Sequence, residues 1–240
     1  GIVGKCFFHV PFYEYLTQHL PGTTFVDVTD PVDYLKAIKS PEEIEMIKRT
    51  AEIQDAALDH VRQKIKPGLR DLDILAEADW ASTRLGSTRL QVLISSYHPG
   101  EQPIGFMGRH YMNRVLREGD HVVVLIEGNG PGGYYTEIAR VFSLGEPTEE
   151  AKDAYACVLE AQKLTLRALK PGANPKEIWD ANNAFLQKKG SGPEGRLYAH
   201  GEGYELGERR AIRYDEPMKI EVGMNIAVHP VWKSSRVWTT

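Results

Sequence analysis

The chain has 240 residues, 42% of them hydrophobic and 26% charged, with a formal net charge of -4. That length can bury a substantial core, and the mild acidity argues against nonspecific nucleic-acid binding, which relies on clustered Lys and Arg. No apolar run approaches the roughly 20 residues that span a bilayer, and two unrelated cysteines, Cys6 and Cys157, suit a reducing compartment better than a disulfide scaffold.

The first residues, GIVGKCFFHV, carry little charge and no small-residue cleavage pattern. They read as a poor signal peptide, and a cytoplasmic location is expected. Residues 1–35 hold a strand-like CFFHV, a short amphipathic segment around Tyr13 to Leu20, and a second strand-like TTFVDV. This is too little for a core of its own, so it reads as the remnant of an N-terminal domain, with the main domain over 36–240.

Ser40-Pro41-Glu42-Glu43 is a helix start: Ser as N-cap, Pro at the first position, Glu three residues after the cap. Apolar residues then recur at Ile44, Ile47, Ala51, Leu58, Val61 and Ile65, one helical face that stops at Lys66-Pro67-Gly68. A second helix is expected from Asp71 to Leu85. About a hundred residues later the order returns: Thr148-Glu149-Glu150 opens a helix, Lys170-Pro171-Gly172 ends it, and Pro175 to Lys188 forms the next. Each pair precedes strand-rich sequence, Leu90 to Phe142 and Leu197 to Thr240. Two α-α-β units in tandem predict an α+β domain with a pseudo-twofold repeat, its helix pairs packed on a curved antiparallel sheet. The pattern from Asn225 to Thr240 stays strand-like to the last residue, so the domain is expected to lack its last strand.

Within the first strand-rich block, Leu125 to Phe142 reads as two strands around a glycine-rich turn, with Glu127 and Glu137 on opposite sides of it. A hairpin brings such residues together, so the two glutamates are expected to share a site.

Four segments resemble the pita-bread superfamily of methionine aminopeptidase, aminopeptidase P, prolidase and creatinase, peptidase family M24. Arg114 to Asp120 is similar to its turn into the central hairpin. Gly133-Tyr134-Tyr135-Thr136-Glu137-Ile138-Ala139-Arg140 is similar to its Gly-Tyr-x-Ser-Asp-Ile-x-Arg strand. Ala199-His200-Gly201-Glu202-Gly203 and Val222 to Pro230 resemble its Gly-His-Gly-x-Gly and Gly-Met-x-x-x-x-Glu-Pro segments.

The resemblance implies the pita-bread fold and places the family's ligands for two divalent ions (two Asp, one His, two Glu) on this chain. The His falls on His200, the second Asp on Glu137, and the first Asp on Ile126 or Glu127 according to the turn length. The first Glu falls on His229, and no match can be named for the second. A paired-ion site is therefore not expected and no cofactor is favoured. The alternative is a single divalent transition metal (Zn, Fe or Mn) on His200, His229, Glu137 and Glu127.

Gly-Tyr-Tyr-Thr is close to the metal-free creatinase branch, which implies hydrolysis of a C–N bond in a small molecule with a histidine as proton shuttle. On that reading His110 is the shuttle, with His98 as runner-up. His200 and Glu137 are also catalytic, and Glu127, His229 and Glu208 bind the substrate. Acidic residues at Glu202, Glu205 and Glu208 suit a cationic substrate. The alternatives are a catalytically inactive binding protein of the same fold and a metal-dependent Xaa-Pro aminopeptidase or prolidase. The expected partners are a small-molecule substrate and a second copy of the chain, in a homodimer.

Overall fold

A computed structural model of the chain describes residues 9–107, 113–209 and 211–240. It is α+β and duplicated. The first helix pair is α3 (Pro41–Lys64) and α4 (Asp71–Arg84), and the second is α5 (Glu149–Ala168) and α6 (Pro175–Lys189). The sequence signals at their ends do what they predict. The Ser40 side chain accepts from the Glu43 amide while the Glu43 carboxylate accepts from the Ser40 amide, a reciprocal cap. Thr148 caps α5, and Gly68 and Gly172 take the positive φ that lets the chain leave the long helices.

Before this repeat lie α1 (Val10–His19) and α2 (Thr29–Ala37). Thr23–Val28 forms no strand, and Cys6–Phe8 lies outside the described residues. Helix α1 buries none of its residues. Among the described residues no helix is long and apolar enough to cross a membrane.

The first helix pair covers one face of an antiparallel sheet of β1 (Leu90–Tyr97), β2 (His121–Asn129) and β3 (Tyr135–Ser143), in that spatial order. Side chains alternate across a strand. Val122, Val124 and Ile126 of β2 therefore enter the core with Leu58, Val61, Ile74 and Ala78 of the helices, while Val123 packs on the other face with Val231 and Trp238. The second helix pair covers a shorter ladder of β4 (Ala199–Gly201) and β5 (Ile226–Val228), where Ile178, Tyr198, Ala199 and Ile212 form the core. A last hairpin, β6 (Trp232–Lys233) with β7 (Trp238–Thr239), closes against the inner face of the first sheet. The block expected to be strand-rich from Leu197 onward is mostly irregular; Tyr198, Ile212, Ile220, Val231 and Val237 are buried without long ladders, while Tyr214 and Val222 are exposed.

Behind the hairpin, α3 acts as a backstop. One Gln54 side-chain amide donates to the carbonyls of Gly128 (3.2 Å) and Thr136, one on each strand. Thr50 donates to the Tyr134 carbonyl at 3.1 Å. Between the strands, Gly132 (φ 71°) and Gly133 (φ 82°) make the reversal that side-chain-bearing residues resist. At the other end of β2, the fully buried Asp120 accepts from Arg114 (2.9 Å to Nη2, and from Nη1), the Arg117 amide (2.7 Å) and His98 Nδ1 (3.0 Å).

Candidate active site

The ladder sets Glu127 directly opposite Glu137. Both share the parity of Val123 and Val141, so they project from the sheet face turned away from α3 and α4. Of the two positions left open by the turn length, Ile126 is wholly buried on the helix side, and Glu127 is the one that meets Glu137. In the second lobe Ala199 is core, so its neighbour His200 faces the opposite way. His229 follows β5 with the parity of Ala227, the residue paired with His200. Each lobe thus turns its polar residues inward, and they meet.

His200 Nε2 lies 3.4 Å from Glu137 Oε2, and His229 Nε2 lies 3.5 Å from Glu137 Oε1. The imidazoles stand edge to face with centroids 5.3 Å apart. The Glu137 side chain is only 3% exposed, yet neither of its oxygens has a hydrogen bond of good geometry, and neither ring nitrogen of His229 has one. Buried polar groups are rarely left so, which marks this as a place for a ligand. His200 Nδ1 is 3.0 Å from the Gly201 carbonyl. A carbonyl only accepts, so Nδ1 carries the proton, and Nε2 presents its lone pair to the site when the ring is neutral.

Electrostatics separate these groups. Burial resists charge on Glu137, but His229 and His200 outweigh it and draw its carboxyl below the usual range. Burial would lower His200, but Glu137 prevails and raises it. His229 is dominated by burial, which pulls it down to about 4 despite Glu137, so it is neutral at pH 7. Glu202 is 2% exposed, and burial followed by the charges of Glu137, Glu127 and Glu208 pushes its carboxyl well above the usual range. The sequence pattern treated Glu202 only as part of an acidic patch. Its position two residues beyond His200 was the available signal, because alternation carries i and i+2 to one face.

Glu208 does not offer a free carboxylate to a substrate cation. It is buried in an ion pair with Lys39 Nζ (2.6 Å, side chains 1% and 3% exposed), and it accepts from the amides of Tyr204 and Glu205. It holds the loop that carries Glu202. His98, the second candidate shuttle, lies beyond the Tyr97–His121 pair, six residues along β2 from Glu127. That is roughly 20 Å at strand rise, and its ring is engaged by Asp120. His110, the first candidate shuttle, lies outside the described residues.

Could this cluster hold metal? The ligand atoms of Glu137, His200 and His229 all lie within 4.8 Å of one another. Two ligands bonded at about 2.05 Å with a tetrahedral angle stand about 3.4 Å apart, and the observed separations of 3.4 and 3.5 Å match that edge. The donor set fits one transition ion. Among the described residues Glu137 is the one carboxylate of the converging group, and the family's pair needs carboxylates that bridge two ions about 3.5–4 Å apart. A neutral imidazole has one lone pair and bonds one ion, so His229 cannot bridge.

Residues 45–238 match the model of metallopeptidase family M24. Over 210 residues the chain is 30% identical to an Xaa-Pro dipeptidase of Pyrococcus furiosus, covering 86% of this chain and 59% of that protein. An uncharacterized peptidase of Bacillus subtilis is 29% identical over 221 residues, covering 91% and 61%. The crystal structure of the prolidase from Pyrococcus horikoshii superposes with a TM-score of 0.87 at 25% identity, covering 97% and 67%. An Xaa-Pro dipeptidase from Bacillus anthracis gives 0.86 at 25%, covering 97% and 65%. The chain spans about three fifths of the curated relatives it matches.

Proposed function

The chain belongs to metallopeptidase family M24, and we propose that it carries the hydrolytic centre of an enzyme that cleaves a peptide-type C–N bond next to proline in short peptides. The observation that supports this most directly is the meeting of Glu137, His200 and His229 between the inner faces of the two lobes, in a fold shared with proteins named as Xaa-Pro dipeptidases. Those relatives favour peptide substrates over the creatinase-like substrate suggested by Gly-Tyr-Tyr-Thr. The altered ligands favour the creatinase-like reading, and it is kept as the second one.

The chain's own residues supply three things. His200, with Nδ1–H fixed on the Gly201 carbonyl, keeps Nε2 aimed at the reacting region. Glu137, between two imidazoles, supplies fixed negative charge to orient them. Glu127, facing Glu137 across the ladder, adds a second carboxylate to the surroundings, which suits a substrate with a free amino end. A divalent ion held by Glu137, His200 and His229 would polarise the scissile carbonyl and acidify a bound water. Water adds to the carbonyl carbon, the C–N bond breaks, and the proline nitrogen leaves with a proton.

The test is hydrolysis of Xaa-Pro dipeptides and of creatine by the purified chain, with Zn²⁺, Co²⁺ or Mn²⁺ and after chelation. Proline release that falls at least a hundredfold in Glu137→Gln supports the proposal. Creatine turnover without proline release would transfer the assignment to the second reading.

A further inference from the structure

We infer that Lys39, at the joint between α2 and α3, is a positioning residue for His200. Through its buried ion pair with Glu208 it fixes the Gly201 carbonyl, and with it the direction in which the imidazole presents Nε2. This deepens the proposed function and rests on it only for the activity readout, because the state of the ring can be measured without a substrate.

The path from one residue to the other is continuous. The Lys39 amide donates to the Gly223 carbonyl at 2.8 Å, just ahead of β5, which ties its backbone to the histidine lobe. Its side chain runs inward past Gly203, where a Cβ would meet Lys39 Cε at 2.5 Å, so the stem takes the space of a side chain. The ammonium ends on Glu208 Oε2 at 2.6 Å and on the Lys36 carbonyl. The other carboxylate oxygen accepts from the amides of Tyr204 and Glu205. Both oxygens of this buried anion thus hold the loop over 204–208 in place. The Glu208 amide then donates to the Gly201 carbonyl at 2.8 Å, the same oxygen that receives His200 Nδ1 at 3.0 Å. The chain after Glu208 lies so close that a Cβ on Gly201 would meet the Arg209 carbonyl oxygen at 2.9 Å.

The ladder of β4 and β5 places the His200 backbone, but the ring's proton has two possible seats. A neutral imidazole carries it on one nitrogen or the other, and the hydrogen bonds on offer decide which. Glu137 Oε2, 3.4 Å from Nε2, draws the proton toward the site but makes no bond of good geometry. The Gly201 oxygen wins while the Glu208 amide holds it in place. Without Lys39 the Glu208 carboxylate is a buried charge with no cation, which is strongly unfavourable. It moves toward water, the loop follows, and the Gly201 carbonyl loses its second donor. The proton then passes to Nε2 and the lone pair turns away from the site.

The test is NMR of the purified chain carrying isotope-labelled histidine, with chelator present, at about pH 9, where an imidazole is neutral. Ring nitrogen shifts tell the tautomers apart, and His200 is assigned by its absence from His200→Gln. The parent should be mainly Nδ1–H. In Lys39→Met, and in Lys39→Met with Glu208→Leu, the ratio of Nδ1–H to Nε2–H should fall roughly fivefold, the worth of a hydrogen bond of about 1 kcal/mol. The double variant is decisive: its stability returns although the clamp is gone, and it stays informative if the single variant fails to fold. Asp120→Asn, which loosens the other end of β2, should keep the parent ratio. On Xaa-Pro dipeptides the double variant should lose roughly tenfold or more in kcat, with KM within about threefold of the parent. A parent that is mainly Nε2–H, an unchanged ratio in the folded variants, a ratio restored along with stability in the double variant, or an equal fall in Asp120→Asn would each overturn the inference. A parent with the expected tautomer but no Xaa-Pro hydrolysis would overturn the proposed substrate and leave the positioning role standing.

Discussion

Replacing Asp120 by Asn tests whether the turn into the central hairpin is fastened by a buried charge. Burial opposes ionisation of Asp120, but Arg114, the Arg117 amide and His98 outweigh it and hold the carboxyl down from the usual 3.8 to about 2. Converted by linkage, that difference is about 2.5 kcal/mol of pH-dependent stability. Solvent around His98, 40% exposed, trims it to about 2 kcal/mol. The sign follows from the depressed folded value. The contribution is complete above the unfolded pKa of about 3.9 and is lost as pH falls through about 2. Urea denaturation of parent and Asp120→Asn should show a stability gap at pH 6 that narrows by about 1.5–2 kcal/mol at pH 2.5. Groups that titrate equally in both proteins cancel in the comparison. A gap of the same size at both pH values would mean that Asp120 contributes by shape and neutral hydrogen bonding, and would refute the charge argument.

Two further substitutions probe the frame around the site. A Cβ on Gly130 would meet Thr50 Oγ1 at 2.5 Å and Thr50 Cα at 3.0 Å. Gly130→Ala should therefore push the hairpin off α3 at about 1–3 kcal/mol, read as a thermal midpoint lower by roughly 3–10 °C; an unchanged midpoint would show that the helix yields freely. Lys39→Met strands the Glu208 carboxylate in the interior and should cost about 3–5 kcal/mol in denaturant titration, while Lys39→Met with Glu208→Leu recovers most of it. Equal losses in the single and double variants would show that the two side chains do not act as a pair.

Much of this architecture was legible in the sequence because its signals are local. The Ser40 and Thr148 caps, the Lys-Pro-Gly stops and the facing pair Glu127–Glu137 each depend on residues a few positions apart. The second lobe was harder to read. Its strand-like residues from Leu197 onward reflect burial against α5 and α6, and burial alone does not dictate a ladder. Thr23–Val28 is rich in β-branched and aromatic residues but has no neighbouring strand among the described residues, so its propensity is unrealised. At the site, the family resemblance implies His200, His229 and Glu137, residues far apart in sequence whose ligand atoms the fold brings within 4.8 Å of one another. Glu202 owes its character first to burial and then to Glu137, Glu127 and Glu208; its spacing from His200 indicates a shared face but not that environment, since Glu137 and Glu127 come from the other lobe. Glu208 was read as a substrate contact because Lys39, 169 residues away, is not visible as its partner until the chain folds.

The two arms of the site differ in stiffness. Glu137 stands on a nine-residue strand laddered along its length to β2 and pinned from behind by a single amide that grips both strands. His200 and His229 come from a ladder of three residue pairs and its continuation. Contents of different size therefore find one wall that holds its place and another that gives. Accommodation falls to the histidine arm, and the carboxylate arm sets the position against which it is measured.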